Sequence, residues 1–301
     1  MWRNHWSQSE HLWLACTFLT LAYFVSAQAR GQYESRETRQ ARVEKTFADP
    51  PNMKRLAAKD RVWVDVKRHI VVVDGYIALR QGQLEMFACP AGTKEHESVV
   101  GVMSKAQYIH AALLAAGARV GKPVQWEPKF EPPSGGEIEI HALWFDKEGK
   151  KQAIDARKWV KQFGTEKTLD VNWVFAGSGL WKDPDTGEQR YLAESGDLVC
   201  LSNFTTATLD IPIQSSQANS GLLFAANTEL IPPEGTPIRL VFKVVKPEPD
   251  QVAVPTPAGT SVTPSTSVSP GSPASPSAPA TQAAPATDRA KESTDLLTPP
   301  K

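Results

Sequence analysis

The chain has 301 residues, with 33 basic and 33 acidic side chains and no formal net charge at pH 7. This balance leaves no basic stripe for nucleic acid and no acidic field for cations or basic partners. We therefore expect no nucleic-acid partner.

Residues 1–29 have the pattern of a secretory signal peptide. A polar start precedes an apolar run from Leu12 to Val25, and small residues then offer cleavage sites after Ala27 or Ala29. The run has fourteen residues, whereas a membrane-spanning helix requires about 20. An uncleaved anchor is the alternative. The pattern predicts export to the periplasm or the medium, with no membrane span once the signal is removed.

Three zones follow the signal. Residues 30–58 form a charged, flexible lead-in, and residues 59–246 are the segment able to bury a core, which suits one domain. Residues 247–301 hold twelve of the 24 prolines and no aromatic residue. Such a composition buries too little apolar surface to offset chain entropy, so it predicts a disordered tail that acts as a spacer or is inert.

Strands dominate the predicted domain. Residues 137–145 alternate apolar and polar side chains, and residues 146–149 suit a hairpin turn. The other β-branched or apolar runs lie at residues 61–66, 69–73, 76–79, 84–89, 170–176, 189–193, 198–202 and 238–245. The sequence thus predicts the α+β class, as a single sheet-rich domain with few helices.

One helix is predicted from Lys105 to Ala116, with Ser104 as its N-cap and Gly117 as its terminator. A period of 3.6 residues places His110 on the apolar face of this helix. A histidine there is either a hydrogen-bonded core residue or a group that transfers protons or binds a ligand.

Histidine and carboxylates also crowd the loop that follows the strand ending at Cys89. His96 lies between Glu95 and Glu97, and functional loops often emerge at strand ends in this way. An exposed charged loop is the alternative. His96, Glu97 and His110 are the candidate catalytic residues, and we expect both imidazoles to point into one pocket if the protein has a site.

Cys89 and Cys200 are the cysteines that remain after signal removal. In an oxidising compartment an even pair suggests a disulfide, and two buried thiols are the alternative. A transition-metal site formed by Cys89, His96 and His110 is a competing hypothesis, because an oxidised Cys89 offers no thiolate. The absence of any C-x-x-C pair argues against an iron–sulfur cluster.

Several segments, in order, resemble the YdjY domain, an exported bacterial family without an assigned activity. The segments that carry the resemblance are residues 92–98, 110–117, 173–179, 196–204, 224–228 and 231–233. The resemblance covers roughly residues 60–245. It implies one intact exported domain and supplies no catalytic residues.

Two functions compete at this point. The first is a non-catalytic binding or structural role in the bacterial envelope, with an envelope protein or a small molecule as partner. The second is a metal- or thiol-dependent enzyme or redox protein that uses Cys89, His96, Glu97 and His110.

Overall fold

The computed structural model describes residues 34–217, 221–246 and 296. The predicted signal peptide and all of the predicted tail except Leu296 lie outside the described residues. The chain divides after Arg39 into a short N-terminal unit, described over residues 34–39, and a main unit that begins at Gln40. Neither α-helix in these ranges combines the length and the apolar character that crossing a membrane requires.

Within the described residues there are two α-helices and fifteen β-strands, which confirms the sheet-rich α+β class. The helices are α1 (Arg36–Thr46) and α2 (Ala106–Ala115). The strands are β1 (Lys54–Arg55), β2 (Val62–Asp65), β3 (Ile70–Ile77), β4 (Gln83–Leu84), β5 (Met86–Pro90), β6 (Ser98–Val102), β7 (Glu137–Phe145), β8 (Lys151–Asp155), β9 (Val160–Gln162), β10 (Trp173–Val174), β11 (Leu180–Lys182), β12 (Gln189–Tyr191), β13 (Val199–Cys200), β14 (Phe224–Ala226) and β15 (Pro237–Val244).

Ten strands form one large mixed sheet with the central order β10-β7-β15-β3-β6-β5-β13. Strands β1 and β2 extend it beside β3, and β8 pairs with β7. Strand β5 runs parallel to β6, and the other pairings between these strands are antiparallel. Two small sheets, β11-β12 and β4-β14-β9, lie outside it.

Strand β3 is buried along its whole length because the sheet is covered on both faces. Val71 and Val73 belong to the larger core, which includes α2, whereas Ile70 and Val72 pack in a second cluster with Phe47. A strand covered on both sides reads as a continuous apolar run, as β3 does. The predicted alternation of β7 is confirmed by the buried residues Ile138, Ile140 and Ala142.

Helix α2 packs its apolar face against β2 and β3, as its period predicts. Ala106, Ile109 and Leu113 are buried, and Gly117 ends the helix with a φ of 84°. A residue of the left-handed conformation at this point is a common helix terminator, and glycine adopts it without steric cost.

The predicted N-cap of α2 is wrong. Lys105 occupies the cap position, and its side chain makes no capping hydrogen bond. The amides of Ala106 and Gln107 instead donate to the Glu194 carboxylate, at 3.1 and 2.9 Å. A carboxylate at a helix N-terminus satisfies free N–H groups and complements the helix dipole. The local sequence holds no sign of this cap because Glu194 lies 88 residues further along the chain.

A buried ion cluster links β3, β15 and Arg61, which comes directly before β2, on the face that carries Phe47. Asp74 on β3 accepts from Arg61 Nη2 at 2.6 Å and from Arg239 Nε at 2.6 Å. Asp74 and Arg239 are fully buried, and Arg239 Nη2 also donates to the carbonyl of Ala48. Two guanidinium groups thus share one carboxylate that has no access to water.

Candidate functional site

The loop between β5 and β6 returns the chain in seven residues, 91–97. Parallel neighbouring strands usually need a crossover of a dozen or more residues. Here Gly92 turns the chain with a φ of 87°, and residues 95–97 form a short 3₁₀ helix. The short return places Lys94 beside Glu85, which comes directly before β5.

Lys94 is the centre of an acidic cluster. Its Nζ lies 3.0 Å from Asp197 Oδ1, 3.7 Å from Glu85 Oε2 and 3.8 Å from Glu97 Oε1. It also lies 4.7 Å from the centroid of the Phe204 ring. Burial opposes the charged ammonium, but the carboxylates, led by Asp197, raise the pKa of Lys94. One cation is thus held by three carboxyl groups.

Glu85 is the deeply buried member of this Lys94 cluster. Burial raises the pKa of Glu85, and the neighbouring Glu97 raises it further. Within the described part of the chain, Glu85 Oε1 has no hydrogen-bond partner. A buried carboxyl group in such surroundings retains its proton to higher pH than an exposed one. The cluster therefore fastens the loop to β5.

His110 belongs to a different cluster, beneath the glycine turn that follows β10. Its Nδ1 lies 2.9 Å from the Tyr191 hydroxyl, which also lies 2.9 Å from Thr208 Oγ1 and donates to the Gly177 carbonyl at 3.2 Å. The imidazole packs edge-on against Phe175. Burial lowers the pKa of His110. The ring is therefore neutral at pH 7, because its ordinary pKa is already about 6.5.

A cleft opens above His110. One cavity there measures about 500 Å³ and is lined by Gln107, His110, Val120, residues 177–180 and Tyr191. A second cavity of about 610 Å³ shares Gln107 and Tyr191 with it and is also lined by Trp181 and Arg190 on the β11-β12 hairpin. Leu180 and Trp181 at the rim are exposed to 66% and 43%. Large apolar side chains are thus presented to solvent around a concave surface.

One segment links the Lys94 cluster to the cleft. The Thr206 hydroxyl donates to Asp197 Oδ2, and the Ser178 hydroxyl donates to the Thr206 carbonyl at 2.6 Å. Ser178 has a φ of 55°, an uncommon conformation for a residue with a side chain. The Thr208 amide donates to the Asp197 carbonyl at 2.9 Å. Residues 206–208 therefore position the wall of the cleft.

The structure does not bring Cys89, His96 and His110 together as a metal site. Among the described residues, no group of three or more His, Cys, Asp or Glu side chains is arranged to hold a metal ion. The reason is β6, which the sequence interpretation missed. Its five residues carry the chain about 16 Å along the sheet between the loop and α2. The expectation of a shared pocket for both imidazoles assumed that α2 follows the loop directly.

His96 matches the alternative of an exposed loop residue. Its side chain is 78% exposed, with Nε2 at 3.8 Å from Glu97 Oε2. Glu95 has a local role, because it accepts from the Gly92 amide and from the Tyr76 hydroxyl. Of the three candidate catalytic residues, only His110 lines a cavity described here.

The predicted disulfide is not formed, and Cys89 and Cys200 are free, buried thiols. Their strands β5 and β13 are neighbours, but Cys200 lies opposite Met86. Three residues along a strand span about 10 Å, and a disulfide requires Cα atoms within about 7 Å. Burial raises the pKa of Cys89 to about 11 and that of Cys200 well above its ordinary value. Both side chains are therefore neutral thiols.

Sequence reasoning missed Tyr191, Asp197 and Glu85 as members of these clusters. Tyr191 and Glu85 lie within runs that read as plain strands, and Asp197 follows a glycine in a segment that reads as a turn. The single signal available was the resemblance itself, since residues 92–98 and 196–204 both carry it and both contribute to the Lys94 cluster.

A comparison with protein families matches the YdjY domain over residues 62–243, which is more than half of the chain. No curated protein and no solved structure matches it. The matched range begins with β2 and ends within β15, so it contains the whole order of the large sheet apart from β1. The chain belongs to the YdjY domain family.

Proposed function

We propose that this domain is a non-catalytic binding module of the bacterial envelope, and that its ligand is a small molecule with an apolar, aromatic part. The observation that carries the proposal is the cleft between α2 and the β11-β12 hairpin, with Leu180 and Trp181 exposed at its rim. Ligand sites are typically concave and mainly apolar, with a few fixed polar groups.

The polar groups of the cleft suit recognition. Tyr191 holds the His110 ring in place, so a neutral imidazole stands at a fixed position in an apolar wall. Gln107, one turn before His110 on the same helix, adds a side-chain amide to the lining of the cleft. Aromatic side chains such as Trp181 offer a large contact area, and they favour stacking against a planar ligand.

The competing function, a metal- or thiol-dependent enzyme, has less support. Neutral buried thiols are poor nucleophiles, since the thiolate is the reactive form. Burial also raises the pKa of the Tyr191 hydroxyl, which disfavours its ionised form. Ser178 is engaged with the Thr206 carbonyl. Tyr191 alone among these groups lies beside a base, His110, but its hydroxyl already donates to the Gly177 carbonyl, so it is not arranged as an activated nucleophile.

Fluorescence titration with anilinonaphthalene sulfonate, an apolar aromatic probe, tests the proposal. We expect saturable, one-to-one binding to the folded chain and at least a tenfold weaker affinity in Leu180→Asp. The matched control is Phe163→Asp, because Phe163 is similarly exposed, at 58%, and does not line the cleft. Absence of saturable binding, or equal loss in both variants, would rule out the cleft as the site.

Placement in the periplasm or the medium is part of the proposal. It is supported by the apolar run from Leu12 to Val25 and the small residues that follow it. Cell fractionation with N-terminal sequencing of the mature protein tests it. We expect the mature chain to begin just after Ala27 or Ala29, whereas an intact chain in the cytoplasm would contradict export.

A further inference from the structure

We propose that the C-terminal segment of the chain is an intramolecular ligand, seated by Leu296 on the sheet face opposite α2. This surface is formed by Val43, Phe47, Trp63 and Arg239, and we call it the Phe47 surface. The proposal concerns a second binding surface, separate from the cleft at His110.

Burial supports the assignment. Leu296 is 1% exposed and belongs to the same apolar cluster as Val43, Phe47 and Trp63. The predicted tail contains two leucines and four valines as its large aliphatic side chains, and Leu296 is one of these leucines. Burial of a leucine is among the strongest single apolar contributions that such a composition can offer.

The polar contact is equally specific. The Leu296 carbonyl accepts from Arg239 Nη1 at 2.6 Å. The other two guanidinium nitrogens of Arg239 donate to Asp74 and to the Ala48 carbonyl. Within the described residues, Leu296 thus supplies the acceptor that completes a fully buried guanidinium. A buried donor that lacks an acceptor is unfavourable, so the Phe47 surface selects for a carbonyl at this point.

The segment before Leu296 is long enough that Leu296 is not forced to lie on the Phe47 surface. Residues 247–295 separate Leu296 from the end of the domain, and 49 residues span up to about 160 Å when extended. The contact must therefore be held by its own interactions. Tethering still raises the effective concentration of the segment to the order of millimolar, so a modest intrinsic affinity is enough.

The sequence marks the same segment. Residues 251–287 carry no charge, whereas the chain from Asp288 onward regains acidic and basic residues and then places the two leucines side by side. This change of composition sets the segment apart from the uniform Pro, Ser, Thr and Ala stretch that precedes it, which has the composition of a spacer.

Thermal unfolding of the full chain tests the proposal first. Leu296→Asp should lower the thermal midpoint by about 3–10 °C, since it places a charge in an apolar seat beside a bound carbonyl. The matched control is Val268→Asp, an aliphatic-to-acid change in the charge-free stretch, which should shift the midpoint by less than about 1 °C. Equal midpoints for wild type and Leu296→Asp would overturn the proposal.

A labelled peptide of residues 288–301 gives the second measurement, by fluorescence anisotropy. It should bind the Leu296→Asp chain, whose seat is empty, at least tenfold more tightly than the wild type, whose own segment competes. A peptide with Leu296→Asp should bind neither. Equal binding of the native peptide to both chains would overturn the proposal. A dimer of the wild type that dissociates in Leu296→Asp would assign the segment to a second copy and overturn the intramolecular arrangement.

Discussion

Replacement of Asp74 by asparagine should strongly destabilise the domain. Asp74 accepts four hydrogen bonds, two from Arg61 and two from Arg239, and it is fully buried. Asparagine fits the space but carries no charge, and it turns an N–H donor group towards one of the two guanidiniums. Loss of one partner of a buried ion pair typically costs about 3–5 kcal/mol, because an uncompensated charge remains in the interior.

Urea denaturation followed by circular dichroism measures this effect. If the slope of unfolding free energy is about 3 kcal/mol per molar urea, Asp74→Asn should lower the midpoint by about 1–2 M. The control is Asp49→Asn, which removes the other carboxylate near Arg61. Its side chain is 55% exposed, so the expected cost is below about 1 kcal/mol. Equal, small effects of the two variants would refute the argument that burial decides the energy of this cluster.

Three further outcomes follow from the buried polar groups. Burial raises the pKa of Asp210 well above its ordinary value. The unfolded carboxyl ionises near pH 4, so the contribution of Asp210 to the free energy of unfolding should fall as the pH rises from there. Asp210→Asn should remove this part of the pH dependence, and parallel pH profiles of unfolding free energy for the two chains would contradict it. Tyr191→Phe removes a hydroxyl that contacts His110, Thr208 and the Gly177 carbonyl. Urea denaturation should show a free energy of unfolding that is lower by about 1–3 kcal/mol. A decrease below about 0.5 kcal/mol would show that these hydrogen bonds contribute little to stability. Cys89 and Cys200 should not react with thiol reagents until the chain unfolds, because both are free and buried. Peptide mapping without reductant that finds the two cysteines linked would contradict this prediction.

The sequence predicted those parts of the fold whose signal is local. The alternation of β7, the apolar face of α2 and the turn at Gly117 each depend on neighbouring residues, and each is confirmed. Strand β6 was missed because its four apolar or glycine residues, 99–102, stand between a charged loop and a helix, which hides a strand of this length. The cap from Glu194 was missed because pairing over 88 residues leaves no local pattern.

At the candidate site, too, the sequence predicted the features that depend on neighbouring residues and missed those that depend on residues distant in the chain. His110 was singled out because a polar ring on an apolar helix face needs a partner, and that partner is Tyr191. The identity of the partner depends on the sheet order, which periodicity does not determine. Cys89, His96 and His110 are close in sequence, but β6 separates the loop from the helix, and among the described residues no group of three or more such side chains is arranged to hold a metal ion.

The Asp74 cluster also has a consequence for how the strands align. Asp74 lies directly opposite Arg239 in the pairing of β3 with β15. Both strands are apolar on both faces, so a shift by one residue would still bury apolar side chains, and hydrophobicity alone specifies the alignment weakly. Such a shift of one strand would move the charge of that strand to the other face of the sheet and separate it from its partner on the strand that stays in place. We therefore expect the ion pair to select one alignment among several apolar ones, so that hydrophobic replacement of the pair would yield a chain prone to misaligned strands.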